Sequence, residues 1–317
     1  MSEVQPPRVS IVVPAYNHAD TLAEAINSLL AQDYPSIEII VIDDGSTDNT
    51  REILSSYGDR IRSYSQQNIG QAATLNKGWA LASGEVLGYL SADDFLYPGA
   101  ILSLVQALRD TGAVAAYCDF DHVDPWGHPL RLVCRPEFDL GRVLITLDCP
   151  PGPGALFLRS AYARSGGWNP DLRQIPDFEF WLRLALQGKL TRVPKNLAAW
   201  RIHPGSQSFS TTSPERADEA IRVISFFFDT PDLPVNLRQL RAKSLARACI
   251  YSAQLHGRAL RFGSFFRCII KATASHPGVL LELQTWRSAV NALLSRPAHY
   301  LAWYLQKSRA QRLKIGQ

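Results

Sequence analysis

Two pairs of adjacent carboxylates stand directly after short apolar runs. Ile37-Glu38-Ile39-Ile40-Val41-Ile42 runs into Asp43-Asp44-Gly45-Ser46, and Val86-Leu87-Gly88-Tyr89-Leu90 runs into Ser91-Ala92-Asp93-Asp94. Carboxylates that share a site repel unless a cation or hydrogen-bond donors offset the charge. A hard divalent metal bridging to phosphate groups is the economical solution. The plainer alternative is two polar turns, with Ser46 or Thr47 capping a helix. A third run, Val9–Val13, ends in Pro14-Ala15-Tyr16-Asn17, which sets an aromatic ring where a planar base could stack; a Tyr closing a strand also serves simple packing. Phosphate cradling by a glycine-rich loop is not the device, because neither G-x-x-x-x-G-K-[ST] nor an early G-x-G-x-x-G is present.

The elements that must position these residues alternate between two periods. Residues 9–13, 37–42, 61–65, 86–90 and 114–118 read as strands, mostly apolar enough to be buried on both faces. Between them, Leu22, Ala25, Ile26, Leu29 and Leu30 form a helical stripe, with Thr21 and Glu24 as a capping box. Further helices are expected over 49–57, 71–83 and 99–111. This alternation predicts an α/β fold, a largely parallel sheet covered by helices on both faces. Parallel strands would bring both carboxylate pairs to one rim, where ligands of open α/β sheets bind. Residues 119–153 read as loops or edge strands, 155–159 as a strand and 178–187 as a helix. Pro231–Pro234 reads as a linker, followed by helical pattern over 236–310.

The 317 residues are 46% hydrophobic and 20% charged, a globular composition that excludes a disordered or collagen-like chain. The net charge of +4 conceals a split. Residues 1–212 carry 17 Lys/Arg against 23 Asp/Glu, and residues 213–317 carry 16 against 6. Five widely spaced cysteines without a C-x-x-C pair point away from a disulfide framework and toward a reducing compartment. The N-terminus lacks a signal-peptide pattern, and no apolar stretch approaches the roughly 18–20 residues that span a bilayer. The expected location is cytoplasmic, peripheral at the inner face of the cell membrane if the basic segment docks there.

Five collinear blocks carry a family resemblance over about residues 8–210. VSIVVPAYNHADTLAEAINSLLAQDYPSIEIIVIDDGSTDNT resembles the opening of family 2 glycosyltransferases, the inverting nucleotide-sugar enzymes with a GT-A fold. NIGQAATLNKGWALASGEVLGYLSADD resembles their next block, and GPGALFLRSAYARSGGWNPDL, PDFEFWLRLA and WRIHPGSQS resemble the later ones. The resemblance implies a Rossmann-like GT-A domain, taken to run over 1–230, and the Pro231–Pro234 linker with the helical, basic pattern beyond it sets off an α-helical extension over 231–317. The resemblance also implies the activity: a hexosyltransferase moving a sugar from a UDP-sugar donor to an acceptor hydroxyl in cell-surface polysaccharide or glycoconjugate synthesis. Two alternatives stay open, a catalytically impaired nucleotide-sugar-binding protein and a membrane- or partner-binding scaffold.

The same resemblance assigns roles. Pro14, Tyr16 and Asp44 match positions that hold the nucleobase. Asn76 and Lys77 fall in a nucleotide-binding block, where Leu75 replaces the Arg that commonly precedes the Asn. SADD stands in for the family's D-x-D segment with Ser91 at its first position, so metal and ribose contacts fall to Asp93 and Asp94, either of which could be the metal ligand. His203 matches a position that ligates the metal or touches the diphosphate. Asp177 matches the proposed general base, although Pro176 replaces its usual Glu neighbour. Read without the family, Asp177 is a helix N-cap and His203 a structural histidine. A divalent cation, Mn²⁺ or Mg²⁺, would stabilise the departing diphosphate while Asp177 takes the acceptor proton.

From Asn236 onward there are 14 Lys/Arg and a single acid, Glu282. Val279, Leu283, Trp286, Val290 and Leu293 make one apolar face, and Trp303 and Tyr304 adjoin a basic end. One reading is a helical appendage with solvated cations; the other is attachment of 236–317 to an anionic membrane surface, which would suit a lipid-linked acceptor. No recognition motif supports nucleic acid.

Overall fold

The computed structural model describes residues 5–203, 212–282 and 285. The first apolar runs become the strands β1 (Val9–Ala15), β2 (Ile37–Asp43), β3 (Arg62–Ser65) and β4 (Val86–Tyr89). Helices α1 (Leu22–Leu30), α2 (Thr50–Ser56) and α3 (Gln71–Leu81) connect them. β1 pairs in parallel with β2 on one side and β4 on the other, and β2 pairs in parallel with β3. Strand β1 is buried along its whole length, as its apolar run requires, and its one polar side chain, Ser10, is satisfied by Glu38.

The chain continues through β5 (Phe95–Leu96), α4 (Ala100–Thr111), β6 (Ala115–Val123), β7 (Pro129–Val133), α5 (Leu140–Thr146), β8 (Leu156–Leu158), α6 (Arg159–Ser165), α7 (Pro176–Ala185) and β9 (Leu190–Arg201). The sheet order is β3-β2-β1-β4-β8-β6-β9-β5, with β7 on the edge of β6. Strand β8 lies antiparallel to both β4 and β6, whereas β6 and β9 are parallel. The result is a mixed, mostly parallel α/β sheet.

Alternate residues of β1 feed two cores. Ile11 and Val13 join Leu22, Ile26 and Leu29 of α1 and Leu104 of α4 on one face. Val12 joins Leu75 and Trp79 of α3 with Phe157, Phe180 and Trp181 on the other. Trp79 centres this second core: its indole N–H donates to the Gly88 carbonyl at 3.0 Å, and its ring meets Phe157 edge-on at 5.4 Å.

Two elements depart from expectation. Strand β6 runs past Cys118 to Val123, and the segment read as loops or edge strands contains, besides the edge strand β7, the helix α5. Strand β9 escapes a periodicity reading because Pro194-Lys195-Asn196 interrupts its apolar pattern. Its pairing with β6 shifts register around Asp119, an irregularity that takes up these residues.

The chain clusters into two compact units, Met1–Val143 with Asp148–Gln207 and Leu144–Leu147 with Ser208–Gln317. The second unit contains α8 (Pro214–Ala217), α9 (Glu219–Phe228), α10 (Val235–Arg238), α11 (Arg241–Arg258) and α12 (Phe262–Ser275). Helices α8 and α9 pack on α11 within this unit. Ala246, Cys249, Ile250, Ala272 and Val279 form this unit's core. Among the described residues no helix is long and apolar enough to cross a membrane. Beyond Val279, the apolar stripe expected to Leu293 and the aromatics Trp303 and Tyr304 lie outside the described residues.

Candidate active site

Because β2 and β4 both run parallel to β1, the residues after all three strands share one edge of the sheet, at the point where strand order turns. Pro14 is buried within β1, and Tyr16 stands exposed just beyond it. Asn17 takes a left-handed backbone with φ 57°, and its side-chain oxygen accepts from the Thr47 N–H at 2.8 Å.

At β2 the carboxylates are satisfied by side chains and backbone of the chain itself. Asp43 accepts from the Ser46 N–H at 2.8 Å and pairs with Arg51 at 2.7 Å. Burial disfavours its charge, but Ser46 and Arg51 together hold the carboxyl below its ordinary value. Asp44 accepts from Gln66 Nε2 and the Ile69 N–H, both at 2.9 Å, and from the Gly70 N–H at 2.8 Å. Three of about four acceptor sites on that carboxylate are thus in use, tying loop 66–70 to the strand end. The expected sharing of a cation by four carboxylates therefore narrows to the second pair.

That second pair is held differently. His203 Nε2 lies 3.0 Å from Asp93 Oδ2. Burial works against the Asp93 charge, but the His203 bond and the imidazole of His18 hold its carboxyl below the usual range. Asp94 turns inward, where its Oδ1 accepts from the Arg201 N–H at 2.9 Å. Burial and the neighbouring Asp93 push the Asp94 carboxyl well up. Of the two acids, Asp93 meets the imidazole and Asp94 braces the turn. Ser91 occupies that turn as the acceptor of the Asp94 N–H at 3.1 Å.

Asp177 is not the cap of its helix. Ile175 is the N-cap of α7, Pro176 fills the first helical position, where its missing N–H costs nothing, and Asp177 follows within the first turn. Burial raises the Asp177 pKa against the opposing pull of the Phe178 and Asp177 N–H groups. Buried Tyr89, at the end of β4, feels both Asp177 and Asp94. Its pKa is pushed well up, by burial first and then by those carboxylates. Tyr89 thus lies within electrostatic range of both the candidate base and Asp94.

Asn76 and Lys77 part ways. The Asn76 amide donates to the Trp168 carbonyl at 2.7 Å and accepts from the Trp168 N–H at 2.8 Å, so it ties α3 to that segment. Lys77 Nζ bonds Gln66 Oε1 at 2.8 Å, joining Lys77 to Asp44 through one side chain.

Three contributors carry no local sequence signal. His18 lies close enough to feel Asp93 and His203, and its pKa is lowered, chiefly by burial. Arg201 joins the turn from β9. Arg173 stands against Gly70, where a Cβ would meet its guanidinium at 1.6 Å. His18 and Arg201 lie inside the motif blocks and Arg173 directly follows one, but neither type nor spacing marks any of them there.

A separate group in the second unit could coordinate a metal: Asp218, His256 and Cys268 each offer a ligand atom, all within 4.8 Å of one another. These atoms are, however, already committed. The Arg261 Nε–H donates to His256 Nδ1 at 2.9 Å, which leaves the proton on Nε2, facing Asp218 Oδ1 at 3.1 Å. A metal there would have to displace the proton shared by His256 and Asp218, as it would the one between His203 and Asp93, and it would in addition stand beside the Arg261 guanidinium.

A family model described as glycosyl transferase family 2 matches residues 10–165. An uncharacterized glycosyltransferase of Rickettsia typhi is 34% identical over 206 residues, covering 62% of this chain and 64% of the relative, just under two thirds of its length. One from Nostoc sp. is 31% identical over 226 residues, covering 67% of this chain and 70% of the relative. The crystal structure of S. aureus TarS 1–349 in complex with UDP-GlcNAc shares the fold at TM-score 0.61 and 21% identity, over 90% of this chain and 79% of that one. A mannosyltransferase from Pyrobaculum calidifontis, in complex with GDP-Man and Mn²⁺, does so at TM-score 0.58 and 20% identity, over 92% and 89%. With its motifs collinear, its GT-A-like sheet and this similarity to the Nostoc protein, the chain belongs to glycosyl transferase family 2.

Proposed function

We propose that the chain moves a glycosyl group from a UDP-sugar to an acceptor hydroxyl, with inversion, in the synthesis of a cell-surface polysaccharide or glycoconjugate. The observation that carries this reading is the 3.0 Å approach of His203 to Asp93, from positions 110 residues apart, at the strand-end rim. Asp93 and His203 would hold a divalent cation, Mn²⁺ or Mg²⁺. When bound, that ion supplies Lewis-acid neutralisation of the departing diphosphate. The UDP-GlcNAc complex of one fold neighbour supports this donor, and the Mn²⁺ complex of the other, which holds GDP-Man, supports this ion.

The remaining work falls to the protein. Tyr16 offers a ring face for the base, and the free acceptor site of Asp44 takes a base N–H. Lys77, bonded to Gln66, adds positive charge beside the nucleotide. Asp177 accepts the proton of the attacking hydroxyl, and its raised pKa makes it a stronger base than an ordinary aspartate. The acceptor is a glycan, a lipid-linked sugar or another hydroxyl compound.

The test is a thermal-shift screen of nucleotide sugars with and without Mn²⁺. A ligand that binds only the native state raises its stability. We expect one UDP-sugar to stabilise the chain and EDTA to abolish the shift. No response to any donor overturns the reading.

A further inference from the structure

Helix α12 carries large apolar side chains outward. The face it turns to the core holds Cys268 and Ala272, with Ile269 packed beside them, while Phe262, Phe266 and Ile270 point away. Phe262, Phe266 and Ile270 are 48%, 60% and 68% exposed. Their spacing of four residues puts them on one stripe along the helix. Arg267 and Lys271, also exposed, each follow a member of that stripe by one position, about 100° further round. Exposed Arg258 and Leu260 stand just ahead of the helix. From Leu233 to Leu281 the chain has eight Lys/Arg and no Asp or Glu.

Exposed apolar residues are usually scattered singly; an aligned row beside cations marks a binding surface. The charges choose among occupants. A second copy meeting this face symmetrically would set Arg267 and Lys271 against the same cations, with no acid in the segment to pair them. A lipid surface with negative headgroups accepts both features: the apolar row enters the acyl boundary while the cations stay at headgroup level.

We propose that α12 docks the protein on an anionic phospholipid bilayer, at the cytoplasmic side of the cell membrane, through Phe262, Phe266 and Ile270 with Arg267 and Lys271. This surface lies in the helical unit and is independent of the glycosyl-transfer reading.

The full chain is sedimented with vesicles of phosphatidylglycerol and phosphatidylcholine, and with vesicles of phosphatidylcholine alone. Wild type is expected to sediment with the anionic vesicles only, and to be released by high salt. F266S/I270S and R267E/K271E should each weaken anionic-vesicle binding by about tenfold or more while leaving the donor thermal shift unchanged. The substituted side chains are exposed, so folding is not at stake, and the unfolding midpoint of each variant checks this. Three results overturn the proposal: no binding to anionic vesicles at low salt, binding by both double variants equal to wild type, or a concentration-dependent dimer by light scattering that F266S/I270S abolishes.

Discussion

Arg201 and Glu24, 177 residues apart, form an ion pair that closes a ring around the Asp93–Asp94 turn. Arg201 is almost fully buried, and each part of it is engaged. Its N–H donates to Asp94 Oδ1 at 2.9 Å, its Nε–H to the Asp93 carbonyl at 2.8 Å, and one terminal nitrogen to the Pro125 carbonyl at 2.9 Å. The guanidinium also lies over the Phe95 ring at 5.6 Å. From the other side, the Thr21 hydroxyl donates to the Ala92 carbonyl at 2.9 Å. Thr21 and Glu24 were expected to cap α1 as a pair; no side-chain cap bond forms, and both reach toward this turn instead.

The fork geometry matters more here than the charge. Lysine keeps the charge but cannot serve several acceptors in one plane. R201K should therefore fold but show Mn²⁺-dependent donor binding weakened by about tenfold, because Asp93 loses its fixed position. R201A should destabilise the protein by about 3–5 kcal/mol in urea denaturation, since it strips a buried charged network of its centre. E24Q acts at a half-exposed partner and should cost less than about 1 kcal/mol. Wild-type donor titration by R201K would remove Arg201 from the site.

Asp177 should control the acid limb of activity. Its burial raises the pKa, so the ionised base is lost at a higher pH than for an ordinary aspartate near 3.8. Turnover should accordingly fall as pH drops through a midpoint above that value, while donor binding declines less. D177N should keep the donor thermal shift, lose about 10²–10⁴-fold in transfer rate, and abolish the acid limb of what remains. Unchanged transfer in D177N would take the residue out of the mechanism.

Gly70 sits where a side chain would disturb both Asp44 and Arg173. Its backbone, at φ 87°, is a conformation that residues with a Cβ rarely adopt, and its N–H donates to Asp44. A Cβ would also displace the Arg173 guanidinium, a cation brought here although Leu75 stands where the family commonly has Arg. G70A should cost about 1–3 kcal/mol of stability through backbone strain. Its UDP-sugar affinity should fall further than that of R173A, because it disturbs Asp44 and Arg173 together. Calorimetric titration of both variants gives the comparison.

Much of the scaffold was legible because β1, β2 and β4 are buried on both faces, so hydrophobicity alone marks them. Parallel pairing then follows from the helical crossovers, and with it the common rim for Tyr16, Asp44 and Asp93. What periodicity misses is long-range side-chain exchange. Nothing near Asp43 announces that Arg51 will neutralise it, and nothing near Thr21 or Glu24 announces Arg201. The N-cap reading of Asp177 failed because Pro176 is favoured at the first helical position and moves the cap to Ile175. His203 stands out only through its motif; its spacing from Asp93 comes from β9, a strand that the chain's pattern conceals.

Glu38 offers a test of the scaffold that leaves the rim untouched. Its side chain is buried at β2, where it accepts from the Ser10 hydroxyl at 2.5 Å and the Ser83 N–H at 2.8 Å, and pairs with Arg62. Burial disfavours the charge, yet these donors outweigh it and bring the pKa down to about 2, from 4.5. A depressed carboxylate pKa gives stability that is complete above the unfolded-state value and disappears as pH falls through the folded one. E38Q keeps the shape but not the charge, so it should be less stable than wild type by about 2–3 kcal/mol at neutral pH. That gap should shrink between pH 4.5 and about 2, where wild type takes up the same proton. Urea unfolding of both proteins across this range checks the sign, and a gap that stayed constant would mean that packing, not charge, holds Glu38 in place.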